Sequence, residues 1–337
     1  MQDNCATFTL DVNGIDYAKV IIPRLVSLSL TEKLEDGADE LEVTLANHDG
    51  QLAPINRGAF ATVALGWEAG RDVPIGLVAK GRFKVDEVRK QGGASGEADT
   101  LTIRARSADL TGDYRRRRDR GWKDTTIGAV VREVAGANGY AVRVHPDLDS
   151  LPVDSLEQAS KSDMAFIRDI GRRYDAVATV KDKTLLFLPI GSETNASGQM
   201  LASQTLKRAA GSHWTFTVAD REDHDGAEAQ WHDRGEAKRK TVQQGKASNP
   251  KRIKRTFASE AEAKAAASAE AKRAERGAMT FSYDMALGDA SIEPNTRVTL
   301  DGWDSEIDGV TWLVTEVRHQ LDGQGGFTTS VQMESLA

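Results

Sequence analysis

Two segments far apart in the chain read alike, and this constrains the fold more than any other feature. Phe83-Lys-Val-Asp-Glu-Val-Arg-Lys-Gln91 aligns with Trp312-Leu-Val-Thr-Glu-Val-Arg-His-Gln320. Val85, Glu87, Val88, Arg89 and Gln91 recur as Val314, Glu316, Val317, Arg318 and Gln320. Upstream, Val63-Ala-Leu-Gly-Trp67 resembles Val298-Thr-Leu-Asp-Gly-Trp303. A Gly-rich turn and a further strand follow each copy, so the order strand, loop, strand, turn, strand occurs twice. A duplicated β-unit has a specific use. Three copies of a chain with two such units form a ring of six similar units, which joins a six-fold partner to a three-fold one.

Period-two alternation supports β-structure on both sides of the repeat. Val26, Leu28 and Leu30 fall on one strand face, and Leu41, Val43 and Leu45 on another, with the turn Glu35-Asp-Gly-Ala-Asp39 between them. Thr62–Trp67, Gly81–Lys90 and Leu101–Ser107 are further strands. Short strands parted by Gly and Asp turns predict a small barrel or sandwich. The period changes after Leu110. Ile127, Val130, Val131 and Val134 form a helical stripe capped by Asp124 or Thr125, with Gly136 and Gly139 near its end. A second helix starts at Ser162, with Phe166, Ile167 and Ile170 inward, and strands 176–180 and 184–188 follow. Gly191–Gly198 reads as a linker.

Strands return at 214–218, 227–231, 279–285, 296–300, 309–318 and 327–333. One alanine-rich helix, 259–277, interrupts them. Ser259 and Glu262 form its capping box, and Glu260 meets Lys264 one turn on. The expected fold is therefore mainly β with an α/β insert. It divides into a first β-domain at 1–110, a small α/β domain at 111–198, and a second β-domain at 199–337 that carries the helix.

Chemistry is sparse. No nucleophile elbow, phosphate-binding loop, dinucleotide fingerprint or zinc-protease helix occurs. Cys5 is the sole cysteine, so no internal disulfide forms. His224 and His232 flank Asp223, Asp225 and Asp233 without dense ligand spacing and read as solvated. Asp304-Ser-Glu-Ile-Asp-Gly309 imitates half an EF-hand loop, but Thr315 stands where the bidentate Glu belongs, so a polar hairpin connection is the better reading. No catalytic, cofactor-binding or metal-ligating residue is nominated, and no cofactor is expected. The most basic run is Arg115, Arg116, Arg117 and Arg118, flanked by Tyr114 and Trp122. These six residues are the candidate interface. Lys251-Arg-Ile-Lys-Arg255 is a second basic run. With 44 Lys+Arg against 51 Asp+Glu, the net charge of −7 disfavours a general nucleic-acid binder. No apolar run reaches the roughly 20 residues that cross a bilayer, and the N-terminus lacks a signal-peptide pattern.

Several motifs are similar to the late control D family, the baseplate hub proteins of contractile-tailed phages, which are related to the N-terminal part of the VgrG spike of type VI secretion. They are Glu293-Pro-Asn-Thr-Arg-Val-Thr-Leu-Asp-Gly-Trp303, Ile307-Asp-Gly-Val-Thr-Trp312, Val317-Arg-His-Gln-Leu-Asp322 and Gly326-Phe-Thr-Thr329. Trp122-Lys-Asp-Thr-Thr-Ile-Gly128 and Ser162-Asp-Met-Ala-Phe-Ile-Arg168 add to them. The resemblance implies two tube-type β-barrel domains per chain and a homotrimer with pseudo-six-fold symmetry. Its partners would be the tail tube ring, the central spike protein and other baseplate proteins. The place implied is the tail of a virion or phage-tail-like particle made in the bacterial cytoplasm, with DNA only as lumen traffic. The chain ends soon after the second β-domain, so the spike is expected as a separate polypeptide. The alternatives are a cell-wall hydrolase housed in 111–190 and a nucleic-acid binder using the arginine run.

Overall fold

A computed structural model of the chain describes residues 3–34, 38–52, 55–93, 98–107, 113–194, 199–200, 203–218, 224–233, 235–246, 248–276, 278–324 and 326–336. Part of the 35–39 turn, the 110/111 boundary, Asp223, Gly277 and the linker end 195–198 lie outside the described residues. The first part of the chain contributes β1 (Cys5–Val12), the short β2 (Ile15–Asp16), α1 (Ala18–Ile21), β3 (Leu25–Lys33), β4 (Glu40–Ala46), β5 (Phe60–Ala69), β6 (Gly76–Gln91) and β7 (Thr100–Arg106). Alternation places Leu28, Leu30, Leu41, Val43 and Leu45 in its core, each at most 2% exposed. Val26 departs from the expectation and is exposed. The β3–β4 register shifts between Leu25 and Ser27, and such a bulge turns the extra residue away from the face its neighbours share.

The insert contributes β8 (Arg117–Thr126), α2 (Ile127–Ala137), β9 (Ala141–Val144), α3 (Pro146–Asp149), β10 (Pro152–Ser162), α4 (Asp163–Tyr174), β11 (Ala176–Lys181) and β12 (Thr184–Pro189). The α2 stripe is buried as expected, but its N-cap is Thr126, whose hydroxyl accepts from Ala129 N. Asp124 and Thr125 are not the cap because β8 runs on through them, Asp124 at φ 51°. Ser162 caps α4 as read, accepting from Ala165 N. β8 pairs with β10, while β9, β12 and β11 make a small sheet on which the helices pack.

The last part contributes β13 (Gln204–Lys207), β14 (Gly211–Val218), β15 (Gly226–Asp233), β16 (Lys238–Gly245), β17 (Pro250–Phe257), α5 (Glu260–Glu275), β18 (Met279–Met285), β19 (Arg297–Asp301), α6 (Ser305–Asp308), β20 (Thr311–Asp322) and β21 (Phe327–Leu336). β15–β17 form their own sheet, covered by the alanine face of α5. Ser259 caps α5 by accepting from Glu262 N.

The two β-rich parts share one sheet, ordered β14-β18-β21-β20-β3-β4-β7-β6-β5-β1-β2, with β19 added to β20 and β13 to β19. Within it a five-strand unit occurs twice: β3, β4, β5, β6 and β7 correspond to β14, β18, β19, β20 and β21. The irregularities agree as well as the order. The β6–β7 register shifts between Val85 and Glu87, and the β20–β21 register between Val314 and Glu316. The β3–β4 shift at Leu25/Ser27 is matched in β14–β18 at Gly211/His213. Val85 exchanges backbone hydrogen bonds with Gly58 and Ala59, as Val314 does with Asn295 and Thr296. Gly58 and Asn295 both stand at positive φ, 87° and 71°. Bulges are specific local features, and repeated ones at matched positions mark a common unit. The pairing also corrects the upstream alignment by two residues: Ala61, opposite Phe83, corresponds to Val298, opposite Trp312.

Phe83 and Trp312 therefore occupy equivalent positions, 1% and 0% exposed. Phe83→Ala and Trp312→Ala should each cost about 3–5 kcal/mol in urea unfolding. A near-neutral effect at either would show that this position is not a core anchor of its unit.

Candidate functional site

The two units meet where β3 pairs antiparallel with the second half of β20, from Lys33 opposite Glu316 to Ser27 opposite Asp322. Glu32 lies on the face of β3 that carries Leu28 and Leu30, and it is 3% exposed. A carboxylate cannot be buried there without partners. Lys80 Nζ of β6 donates to it at 2.8 Å. Lys181 Nζ, from β11 of the insert, lies 3.7 Å away and also 3.3 Å from Asp39. His319 Nε2 of β20 is 3.5 Å from the carboxylate, and its Nδ1 pairs with the Thr329 hydroxyl at 2.9 Å. Burial alone would raise the pKa of Glu32, but the His319 hydrogen bond and the charges of Lys80 and Lys181 outweigh it and hold the group at about 2. Burial pushes His319 below its ordinary value, against the pull of Glu32 and Asp289. Burial raises Asp39 in spite of Lys181.

Apolar contacts continue the seam. Trp67 Nε1 donates to Gly288 O at 2.8 Å, and its ring lies 5.5 Å from that of Phe327. The insert is tied on by Leu34, Val177 and Leu313, which share a buried cluster, and by Asn295, whose side chain accepts from Gly191 N at 2.8 Å. Arg276, after α5, makes a two-pronged pair with Asp175, the αL cap of α4. Both side chains of that pair are under 10% exposed.

The residues nominated from the sequence divide between interior and surface: Tyr114, Arg115 and Arg116 precede β8, and Arg117, Arg118 and Trp122 lie on it. Tyr114 is buried edge-on to Tyr140 at 5.3 Å, and burial raises its phenol well above the ordinary range. Trp122 stacks on Phe166 at 5.0 Å and donates to Glu133 at 2.8 Å. Arg118 Nε is 3.2 Å from the fully buried Asp163, which Arg120 also pairs with. Gln158 and Asn138 each donate to that carboxylate at 2.8 Å. Arg115, Arg116 and Arg117 are exposed. In the second basic run, Lys251 reaches Glu270 at 3.0 Å and Arg252 reaches Glu228 at 3.4 Å.

The calcium-loop look-alike is the one-turn helix α6. Asp304 caps it by accepting from Glu306 N and Ile307 N, and Asp308 accepts from Gly302 N and Trp303 N. The carboxylates of Asp304 and Asp308 are thus spent on backbone donors. His224 lies 3.1 Å from Asn249 O. Among the described residues no group of three or more His, Cys, Asp or Glu side chains is arranged to hold a metal, and no helix is long and apolar enough to cross a membrane.

Glu32 and His319, the centre of the seam's ion group, lie outside the nominated residues. Each is a polar residue on the apolar face of its strand, after Leu28 and Leu30 in β3 and between Val317 and Leu321 in β20.

A family model for the phage tail baseplate hub (GPD) matches residues 31–325, which includes most of this seam. The chain belongs to the baseplate hub family. Probable baseplate hub proteins of Escherichia phages 186 and P2 are each 33% identical to it, over 97% of this chain and 92% of theirs. The tail protein of Neisseria meningitidis MC58 shares the fold, with a TM-score of 0.69 at 13% identity, over 98% of this chain and 96% of that one. The hub is thus a structural part of the baseplate of a phage tail or a related apparatus. The seam is where its two units become one sheet.

Lys80→Met should destabilise the hub by about 3–5 kcal/mol in urea unfolding, since it strands a buried carboxylate. The double variant with Glu32→Gln should recover part of that loss, and no recovery would place the cost elsewhere. Acidification should weaken the seam in two stages. The folded state holds His319 deprotonated below 6.5, so the unfolded chain takes up more protons and stability falls with pH. The lowered Glu32 removes further stability as pH drops from its ordinary 4.5 toward 2. Thermal melts between pH 7 and 5 should therefore fall for the native chain and fall less for His319→Gln. Equal slopes would remove His319 from the pH response.

Proposed function

We propose that the hub acts as a homotrimer whose six five-strand units form a pseudo-six-fold ring. This ring joins the six-fold tail tube on one side to the three-fold central spike on the other. The observation that carries the reading is the duplication itself. One chain supplies two units with the same strand order, the same bulges and the same positive-φ turn. Closed rotational symmetry is the usual solution for repeated interfaces. In this reading residues 1–110 and 199–337 are the two tube-type barrel domains and 111–198 is the small α/β domain between them. Other baseplate proteins meet the outer surface, where Arg115, Arg116 and Arg117 are exposed. The net charge of −7 suits a lumen through which DNA passes without sticking.

In this reading the role is assembly rather than catalysis. The buried carboxylates Glu32 and Asp163 are each neutralised by two or more cationic side chains, which leaves neither poised as a general acid.

Light scattering on the purified chain, alone and with a candidate central spike protein, tests the assembly. A mass of three chains in either state is expected. A monomer in both, even at high concentration, would overturn the ring.

A further inference from the structure

A cleft between the insert and the β15–β17 sheet holds positive charge that the chain does not neutralise. One wall is the second half of α4, and the other is β17 backed by α5. The space is about 250 Å³. Its floor is apolar. Phe166 and Ile170 of α4 and Phe257 of β17 are buried, and Ile253 beside them is half-buried. Arg173 lines it from α4 and Arg255 from β17.

β17 is deformed at this place. Arg252 lies opposite Glu228 and Thr256 opposite Gln230, so the three residues from Ile253 to Arg255 face Ala229 alone. Alternation puts Arg255 on the face of Ile253 and Phe257, yet it is exposed and they are not. The two extra residues lift it off the α5 packing, the re-aiming of a side chain that bulges are used for next to binding sites. Its guanidinium stands over the Phe257 ring, 5.6 Å from the centroid.

Two further cations at the rim are spent. Lys161 pairs with Asp169, and Arg273 pairs at 2.7 Å with Glu270, which Lys251 also reaches at 3.0 Å. Among the described residues neither Arg173 nor Arg255 makes an ion pair. Burial and then the charge of Arg255 push Arg173 below its ordinary value, and Tyr174, Glu262 and Asp169 return only part of it. Two cations that share a part-buried space repel each other until an anion enters between them.

We propose that this cleft binds a segment of another protein in which one carboxylate stands beside a bulky apolar side chain. The carboxylate lies between Arg173 and Arg255, and the apolar side chain lies on Ile170, Ile253 and Phe257. Guanidinium groups take carboxylates in two-pronged pairs. The apolar floor adds the burial that an exposed ion pair lacks. The space is smaller than those that enclose a drug-sized molecule, which suits a pair of side chains. Nucleic acid fits less well. A phosphate backbone follows a row of cations, whereas here two converge, with the carboxylates of Glu157 and Asp169 at the rim. The site stands on the cleft alone and does not need the ring.

The blocked peptide acetyl-Gly-Glu-Phe-Gly-amide is the probe, read by saturation-transfer NMR on the full chain. A peptide of this size should bind with a Kd of about 1 mM. Replacing its Glu by Gln, or its Phe by Ala, should weaken binding about ten-fold. Arg255→Gln should weaken the Glu peptide by a similar factor and leave the Gln peptide unchanged. Arg255 is exposed, so this variant should fold, and its melting temperature should not drop, because it removes a like charge beside Arg173. Arg173→Gln repeats the test from the other wall. No saturation by about 10 mM, equal binding of the Glu and Gln peptides, or Glu-peptide binding unchanged in both variants would overturn the site. A lower melting temperature for Arg255→Gln would assign the arginine to the fold and overturn it as well. A short DNA duplex that displaces the probe, and that Arg255→Gln no longer binds, would give the cleft to nucleic acid instead.

Discussion

Glu32 sits at the line where the two β-units touch, and its charge has to be met inside the protein. An ion taken out of water costs several kcal/mol unless oppositely charged groups surround it in good geometry. Its partners come from three places: Lys80 from β6 of its own unit, Lys181 from the insert and His319 from the second unit. Each must be in position for the others to be stable, so the group fixes three relative placements together. Apolar contacts alone would specify the seam less sharply. Leu28 and Leu30 would still face inward after a two-residue slip of β3, because side-chain direction repeats every second residue. The same slip would pull Glu32 away from both lysines.

A second constraint comes from small residues. The inner face of α5 is built from Ala263, Ala266, Ala267 and Ala271, against Ala227 and Ala229 of β15 and Phe257 of β17. Alanine buries little area, about a methyl group each, so this contact is close but weakly driving. The Arg276–Asp175 pair supplies what the alanines lack, a directional tie between the end of α5 and the cap of α4. Arg273 adds to it by donating to Arg172 O at 2.8 Å. The helix thus links the β15–β17 sheet to the insert, which among the described residues the main sheet does not reach by strand pairing.

What was legible in the sequence follows from what has a short period. Alternation marked β3, β4 and β7, the helical stripes marked α2 and α4, and the recurring Val-x-Glu-Val-Arg marked β6 and β20. The features that were not legible depend on contacts distant in the chain. Two units sharing one sheet is a fact about β3 meeting β20, nearly three hundred residues on. The bulge that turns Val26 outward leaves no mark in a pattern of apolar residues. The arginine run looked uniform because neighbours in sequence are alike. On a strand they alternate, and Arg118 and Arg120 turn in toward Asp163 while Arg117 stays at the surface. Interior charge was visible as a violation, since Glu32 and His319 break the apolar face of their strands, but its partners were not.

The two kinds of edge in the repeat differ in charge, and the difference has a physical reason. Where the seam is internal, the unit places Glu32 and His319 at facing strands; the repeat puts Val218 of β14 at the place of Glu32 and Lys90 of β6 at the place of His319, on edges that no further strand pairs among the described residues. An internal seam forms once, as the chain folds, and its ion group need never separate. An edge that stays open to water until another molecule arrives is under the opposite demand. A carboxylate and imidazole desolvated at each encounter would add a barrier to association, while a valine favours it. Lys90 on the open strand can keep its amine in water and lay its methylenes along a neighbour. Until that neighbour arrives, its charge also discourages pairing with a wrong strand, the usual protection of an exposed sheet edge.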